Sequence, residues 1–147
     1  MSDFRRLSDT VLASPQIGLD DIAAAKAEGV TLVINNRPEG EAEDQTPGPE
    51  IEAAARAAGL DYRAIPVTHA GLSESQVAAM AEALDSARGG KVLAYCRSGT
   101  RSSLLWALAE ALQGENPEAL AEAAAAAGYD VAPVRSAMDA LSTRARE

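Results

Sequence analysis

The run Lys91-Val92-Leu93-Ala94-Tyr95-Cys96 is apolar at every position after the lysine and shows none of the in-out alternation of a half-solvated strand. Such a strand has to be buried on both faces. That places it near the centre of a mainly parallel sheet with helices on either side. The residues after Cys96 narrow the fold further. Arg97-Ser98-Gly99-Thr100-Arg101-Ser102 is polar, and from Ser102 the stretch Ser-Ser-Leu-Leu-Trp-Ala-Leu-Ala-Glu-Ala-Leu-Gln has helical propensity up to Gly114. A strand, a glycine-containing turn and a helix in that order aim backbone amides and the positive end of a helix at one place.

Three other short apolar runs, residues 10–13, 31–35 and 61–67, read as strands, which gives a sheet of about four. Helical patterns fall between them: residues 20–28 up to Gly29, a segment after Pro49 ending near Gly59, and a helix opened by Ser73-Glu74-Ser75-Gln76. That last sequence predicts a capping box, in which the serine hydroxyl and the glutamine side chain each satisfy a backbone amide. The tail beyond Asn116-Pro117 is alanine-rich, helical through Ala127 and helical again after Pro133, and reads as packing material. Residues 37–49, rich in Glu, Gly and Pro, read as a long surface loop. With 147 residues and no internal repeat, the expectation is one α/β domain over residues 1–147.

The 22 acidic and 13 basic residues give a net charge of −9, which disfavours nucleic acid and anionic membranes as partners. No apolar stretch approaches the ~20 residues that span a bilayer. Met1-Ser2-Asp3-Phe4-Arg5-Arg6 leads into no signal-like run, and one cysteine makes no internal disulfide, so a cytoplasmic location is expected. A bound anion must then be held by a local set of donors, and the dense one is the arginine pair around Cys96.

Cys96 admits a bland reading, since free cysteines are often simply buried. Its neighbours argue otherwise: two arginines and three hydroxyl side chains in six positions are poor core material. The turn amides, the helix N-terminus and the guanidinium groups all favour a thiolate, so Cys96 is the expected nucleophile. Arg101 is suited to grip an oxyanion through two parallel hydrogen bonds, with Arg97, Ser98, Gly99 and Thr100 lining the cradle.

The loop, together with Val33-Ile34-Asn35-Asn36-Arg37-Pro38-Glu39-Gly40-Glu41 and Tyr62-Arg63-Ala64-Ile65-Pro66-Val67, resembles the phosphatase-like domain of the beta-lactamase-hydrolase-like proteins, over roughly residues 5–112. That family is associated with both sulfur transfer and phosphatase chemistry. The resemblance implies a compact α/β fold of the cysteine-phosphatase type. It also implies Ser102, directly after the arginine, as the hydroxyl that hydrogen-bonds the departing thiolate. In similar phosphatases an aspartic acid follows the Ile-Pro-Val strand as general acid. Here the sequence is Ile65-Pro66-Val67-Thr68-His69, and His69 stands either as a substitute acid or as a solvated loop residue.

Three departures from the phosphatase pattern, the missing aspartic acid among them, place sulfur chemistry first. Four residues separate Cys96 from Arg101 where cysteine phosphatases have five, a spacing that resembles rhodanese-type sulfurtransferases, and Tyr95 replaces the usual histidine before the cysteine. The first expectation is therefore a sulfurtransferase carrying a Cys96 persulfide, with thiosulfate or a persulfide as donor. The alternative is a phosphatase passing through a Cys96 phosphocysteine, with a phosphate ester as substrate. A non-catalytic anion or persulfide sensor is a third reading. Arg37 either contacts substrate or, with Asn35 and Asn36, builds a turn. Glu39, Glu41, Glu43 and Asp44 match no calcium-loop pattern and read as a solvated acidic loop; neither a metal nor a cofactor is expected.

Overall fold

The computed structural model describes residues 2–68 and 70–146. Five strands form one sheet: β1 (Arg5–Arg6), β2 (Val11–Ser14), β3 (Val30–Asn35), β4 (Asp61–Ala64) and β5 (Lys91–Tyr95), in the spatial order β1-β2-β5-β3-β4. All neighbours run parallel except the β1–β2 pair. The expected all-apolar strand is thus the central one, with β2 on one side and β3 on the other.

The side chains of β5 explain its composition. Val92 and Ala94 enter a core with Leu32 and Ile34 of β3 beneath helices α3 (Glu74–Ser86), α4 (Thr100–Leu112), α5 (Pro117–Ala126) and α6 (Arg135–Ala145). Leu93 and Tyr95 point the other way, into a core with Val33 beneath α1 (Asp20–Ala27) and α2 (Gly48–Ala57). Alternation is present, but both destinations are dry. Helix α4 carries apolar residues almost all round because it lies between the sheet and its neighbouring helices: Leu105, Trp106, Leu108 and Ala109 are all buried.

Three details differ from the expectation of four strands. Strand β1 has no apolar signal, because two arginines form it through backbone pairing with Ala13 and Leu12. Strand β4 ends at Ala64, short of Val67. Beyond it the pairing goes on through Ile65 N–H to Asn35 O and Val67 N–H to Asn36 O (2.9 Å each), while Pro66 between them has no N–H to offer. Cys96 lies one residue past β5, with its amide still donating to Ser14 O at 3.3 Å.

The capping box at Ser73 is present in both directions: Gln76 N–H donates to Ser73 Oγ at 3.4 Å, and Ser73 N–H to Gln76 Oε1 at 2.7 Å. Asn116 caps α5 in a related way, accepting from Glu118 N–H at 2.8 Å. The register Ser14↔Tyr95↔Asn35↔Ala64 brings the C-terminal ends of the parallel strands level. The segments leaving those ends are gathered at one edge of the sheet, where open parallel sheets place their sites.

Candidate active site

Cys96 is fully buried at the start of the turn. Gly99 turns the chain with φ of 94° and caps α4, a left-handed conformation that a glycine adopts without strain. Its amide N–H then points back at the cysteine and donates to Sγ at 3.1 Å. One amide of the expected turn is therefore directed at the sulfur. Ser98 Oγ donates to Thr100 Oγ1 at 3.0 Å and accepts from Thr100 N–H at 3.3 Å, which stiffens the outer rim. Ser103 Oγ donates to Gly99 O at 2.8 Å, fastening the turn to the first helical residues.

The two arginines of the loop have different surroundings. Arg97 is exposed, and among the described residues its guanidinium has no hydrogen bond or ion pair; only its carbonyl is engaged, by Gln16 N–H at 3.2 Å. Arg101 is held. Nη1 donates to Glu41 Oε2 at 2.7 Å and to Val67 O at 2.8 Å, and Nη2 donates to Glu41 Oε1 at 2.8 Å. Glu41 also accepts from Arg37 Nε at 2.9 Å, and Arg37 Nη1 donates to Gln16 Oε1 at 3.0 Å.

Glu41 is thus set between two arginines with only 17% of its side chain exposed, and is no member of a solvated acidic loop. The hydrogen bond from Arg101 is the main cause that lowers its carboxyl from the ordinary 4.5 to about 2; burial works the other way, and Arg37 adds to the lowering. Glu39 is engaged too, accepting from Gly48 N–H at 2.8 Å, whereas Glu43 and Asp44 are exposed as expected. Sequence spacing contained a weak signal for Glu41, four residues beyond Arg37, but not its second partner 60 residues away.

Arg37 is buried and faces Glu41 and Gln16, and its amide donates to Asn35 Oδ1 at 2.9 Å in the turn after β3. Asn36 is fully buried: Nδ2 donates to Ile65 O at 2.9 Å, and Oδ1 accepts from Ser102 Oγ at 2.8 Å. Tyr95, just before the cysteine, points into the α1/α2 core, and burial raises its phenol pKa. The other expected residue, His69, lies outside the described residues. Among those described, no three His, Cys, Asp or Glu side chains come together as a metal site.

One contributor comes from the tail. Tyr129, after α5, donates from Oη to Ser98 O at 3.2 Å, and its ring lies under the guanidinium of Arg5 at 5.3 Å. A Cβ built on Gly99 would run into Tyr129 Oη. The alanine-rich tail is therefore more than packing material, since it closes one side of the cysteine loop.

Residues 3–113 match the phosphatase-like domain of beta-lactamase hydrolase-like proteins. The chain belongs to that family. A beta-lactamase hydrolase-like protein of Agrobacterium fabrum is 35% identical over 109 residues, 74% of this chain and 25% of that longer relative. A candidate phosphatase from Neisseria meningitidis superposes with a TM-score of 0.80 at 30% identity, covering 96% of this chain and 99% of that one. The fold extends to P. aeruginosa TpbA, solved in complex with pTyr, at a TM-score of 0.68 and 20% identity over 99% of this chain and 91% of that one. The likeness to TpbA at that identity is one of fold. The phosphatase-like family thus has here the cysteine-phosphatase architecture implied by its loop, with the cysteine strand at the centre of the sheet. No helix of the described residues is long and apolar enough to cross a membrane.

Proposed function

We propose that this chain is a cysteine-dependent phosphatase of the tyrosine-phosphatase type, acting on a small phosphate ester. The observation that carries the proposal is the Cys96 loop itself. A buried sulfur accepting from Gly99 N–H sits at the head of α4, with Arg101 held at the same edge, in a fold shared with phosphatases. This reverses the order of the two chemistries expected from the loop length, from Tyr95 before the cysteine and from the missing aspartic acid after Ile65-Pro66-Val67. The complex of TpbA with pTyr supports an aryl phosphate as the first substrate class to test.

In this reading the Cys96 thiolate attacks phosphorus while the bond from phosphorus to the ester oxygen breaks. The amides of the turn and the helix N-terminus bind the equatorial oxygens, joined by Arg101, and the exposed Arg97 attracts the dianion to the mouth. The leaving oxygen takes a proton from a general acid. Glu41, with its carboxyl at about 2, is a carboxylate near neutral pH and has no proton to give. His69 is assigned the role; it lies two residues past Val67, whose carbonyl binds Arg101. Water then attacks the phosphocysteine, releasing phosphate and restoring the thiolate. Ser102 is assigned to support the loop, and for its hydroxyl to reach the departing thiolate it must leave Asn36.

Sulfur transfer is the second reading, favoured by the four residues between Cys96 and Arg101. A persulfide adds a single atom to Sγ and needs less room than a phosphoryl group. Intact-mass spectrometry separates the two: acid quench after an aryl phosphate is expected to trap a phosphoryl adduct on Cys96, and thiosulfate to leave the mass unchanged. A gain of one sulfur with no phosphoryl adduct would reverse the assignment. Turnover by Cys96→Ser equal to wild type would remove Cys96 from both mechanisms.

A further inference from the structure

A trans peptide is planar, with its C=O and N–H on opposite sides, so whatever holds the carbonyl fixes where the amide points. The peptide between Ser98 and Gly99 is gripped at both ends. Its N–H is the one that donates to Cys96 Sγ at 3.1 Å, and its C=O accepts from Tyr129 Oη at 3.2 Å. Among the described residues the phenol is the one partner of that carbonyl. The carbonyls on either side are held by backbone amides: Arg97 O accepts from Gln16 N–H at 3.2 Å, and Gly99 O from Ser103 N–H at 3.0 Å.

The middle peptide is also the one that turns over most easily. A peptide flip changes ψ of the residue before it and φ of the residue after it, and here the second residue is glycine, which takes either sign of φ at little cost. With φ of 94° at Gly99 the amide faces the sulfur. The flipped form would put the Ser98 carbonyl there instead, and its negative end repels both a thiolate and a bound anion.

Tyr129 is itself fixed. It is 6% exposed, its N–H donates to Ala124 O at 2.9 Å, and Arg5 of β1 lies over its ring with Nη1 donating to Ala127 O at 3.3 Å. Burial raises the phenol pKa, Arg5 works against the rise and Cys96 adds to it, so near neutral pH the group keeps the proton that it donates. Tyr129 lies beyond residue 113, where the match to the family domain ends.

We infer that Tyr129 is a positioning residue for the anion site: by holding Ser98 O on the outside of the loop, it keeps Gly99 N–H turned inward, toward Cys96 and the phosphoryl group in front of it. The inference rests on the anion-binding part of the proposed function, and not on turnover. Tyr129 touches no reacting atom; its effect passes through one peptide plane.

Tyr129→Phe is the informative change, because it keeps the ring beneath Arg5 and removes only the hydroxyl. Amide hydrogen exchange read by NMR is expected to show Gly99 N–H exchanging about tenfold or more faster than in wild type, while Ser103 N–H, bonded to the next carbonyl, changes by less than about twofold. A general loosening of the loop would speed both alike. Calorimetric titration with inorganic phosphate is expected to show binding weakened by about threefold to tenfold.

Unchanged Gly99 exchange in folded Tyr129→Phe would overturn the inference, as would equal acceleration at Gly99 and Ser103, or phosphate binding as tight as in wild type. A wild type that binds no phosphate would sink the inference and the proposed function together. If Tyr129→Phe does not fold, Arg5→Met, which takes the guanidinium off the ring and keeps a long side chain in β1, is read by the same measurements with the same expected direction. A wild type that binds phosphate without hydrolysing aryl phosphates would count against the proposed function and leave the positioning role standing.

Discussion

Ser102 Oγ donates a 2.8 Å hydrogen bond to Asn36 Oδ1, and both side chains are fully enclosed. The direction is fixed by the far end of the amide: Nδ2 donates to Ile65 O, so Oδ1 faces Ser102 and can only accept. The one hydroxyl proton of Ser102 is therefore engaged. Ser102→Ala leaves Asn36 Oδ1 buried without a partner and is expected to destabilise the fold by about 1–3 kcal/mol. Urea denaturation measures this, and rapid-quench kinetics on the same variant shows whether phosphocysteine breakdown is slowed as well. A loss of stability with no change in the breakdown rate assigns Ser102 to the scaffold alone.

Gly99 has two reasons to be glycine. Its φ of 94° disfavours a side chain, and a Cβ there would meet Tyr129 Oη. Gly99→Ala is expected to cost about 1–3 kcal/mol in backbone strain alone, with the clash in addition. The double variant Gly99→Ala/Tyr129→Ala is expected to relieve the clash and not the strain. Scanning calorimetry of the single and double variants checks both parts; if the second change recovers nothing, Tyr129 does not press on the loop.

Glu41 makes stability depend on pH in a defined direction. Its carboxyl is lowered to about 2 in the folded protein from 4.5, so the stabilisation it supplies is complete above about 4.5 and disappears as pH falls through about 2. Glu41→Gln is expected to be less stable than wild type by on the order of 2 kcal/mol near neutral pH, with the gap closing toward acid. Denaturation curves taken from neutral to acid pH give the comparison, and a gap that stays constant would count against the ion pair as its source.

Glu110 behaves in the opposite way. Burial raises its pKa first, and Glu115 and Asp85 add like charge, with Arg88 a smaller counterweight. A carboxylate with a raised folded value weakens the fold once it ionises, and the penalty vanishes at a pH where it is protonated in both states. Glu110→Gln is expected to raise the melting temperature at neutral pH by about 2–4 °C for each kcal/mol relieved, and by less in acid. An unchanged melting temperature at neutral pH would show that the group is well solvated.

His69→Ala tests the proton donor. A general acid works in its protonated form, so its removal is expected to flatten the alkaline limb of kcat, with a loss of about 10²-fold or more for a poor leaving group and little for nitrophenolate. An alkaline limb unaltered in the variant would place the acid elsewhere.

The sequence by itself determined the central strand, the turn and the helix behind it, because each is written in local chemistry. Val92 to Tyr95 are apolar on both faces, Gly99 permits the left-handed turn, and Ser73-Glu74-Ser75-Gln76 caps its own helix. Strand β1 was not legible, since Arg5 and Arg6 enter the sheet through backbone hydrogen bonds and carry no apolar signal. Nor was the company of Arg101. Glu41 reads from sequence like any acidic loop residue, and Tyr129 like any residue of an alanine-rich tail. Only the folding of the sheet edge brings the first onto Arg101 and the second onto Ser98. Side chains far apart in the chain acquire their charge partners and their burial from the tertiary structure, which is where Arg101 gains its carboxylate and Ser98 its phenol.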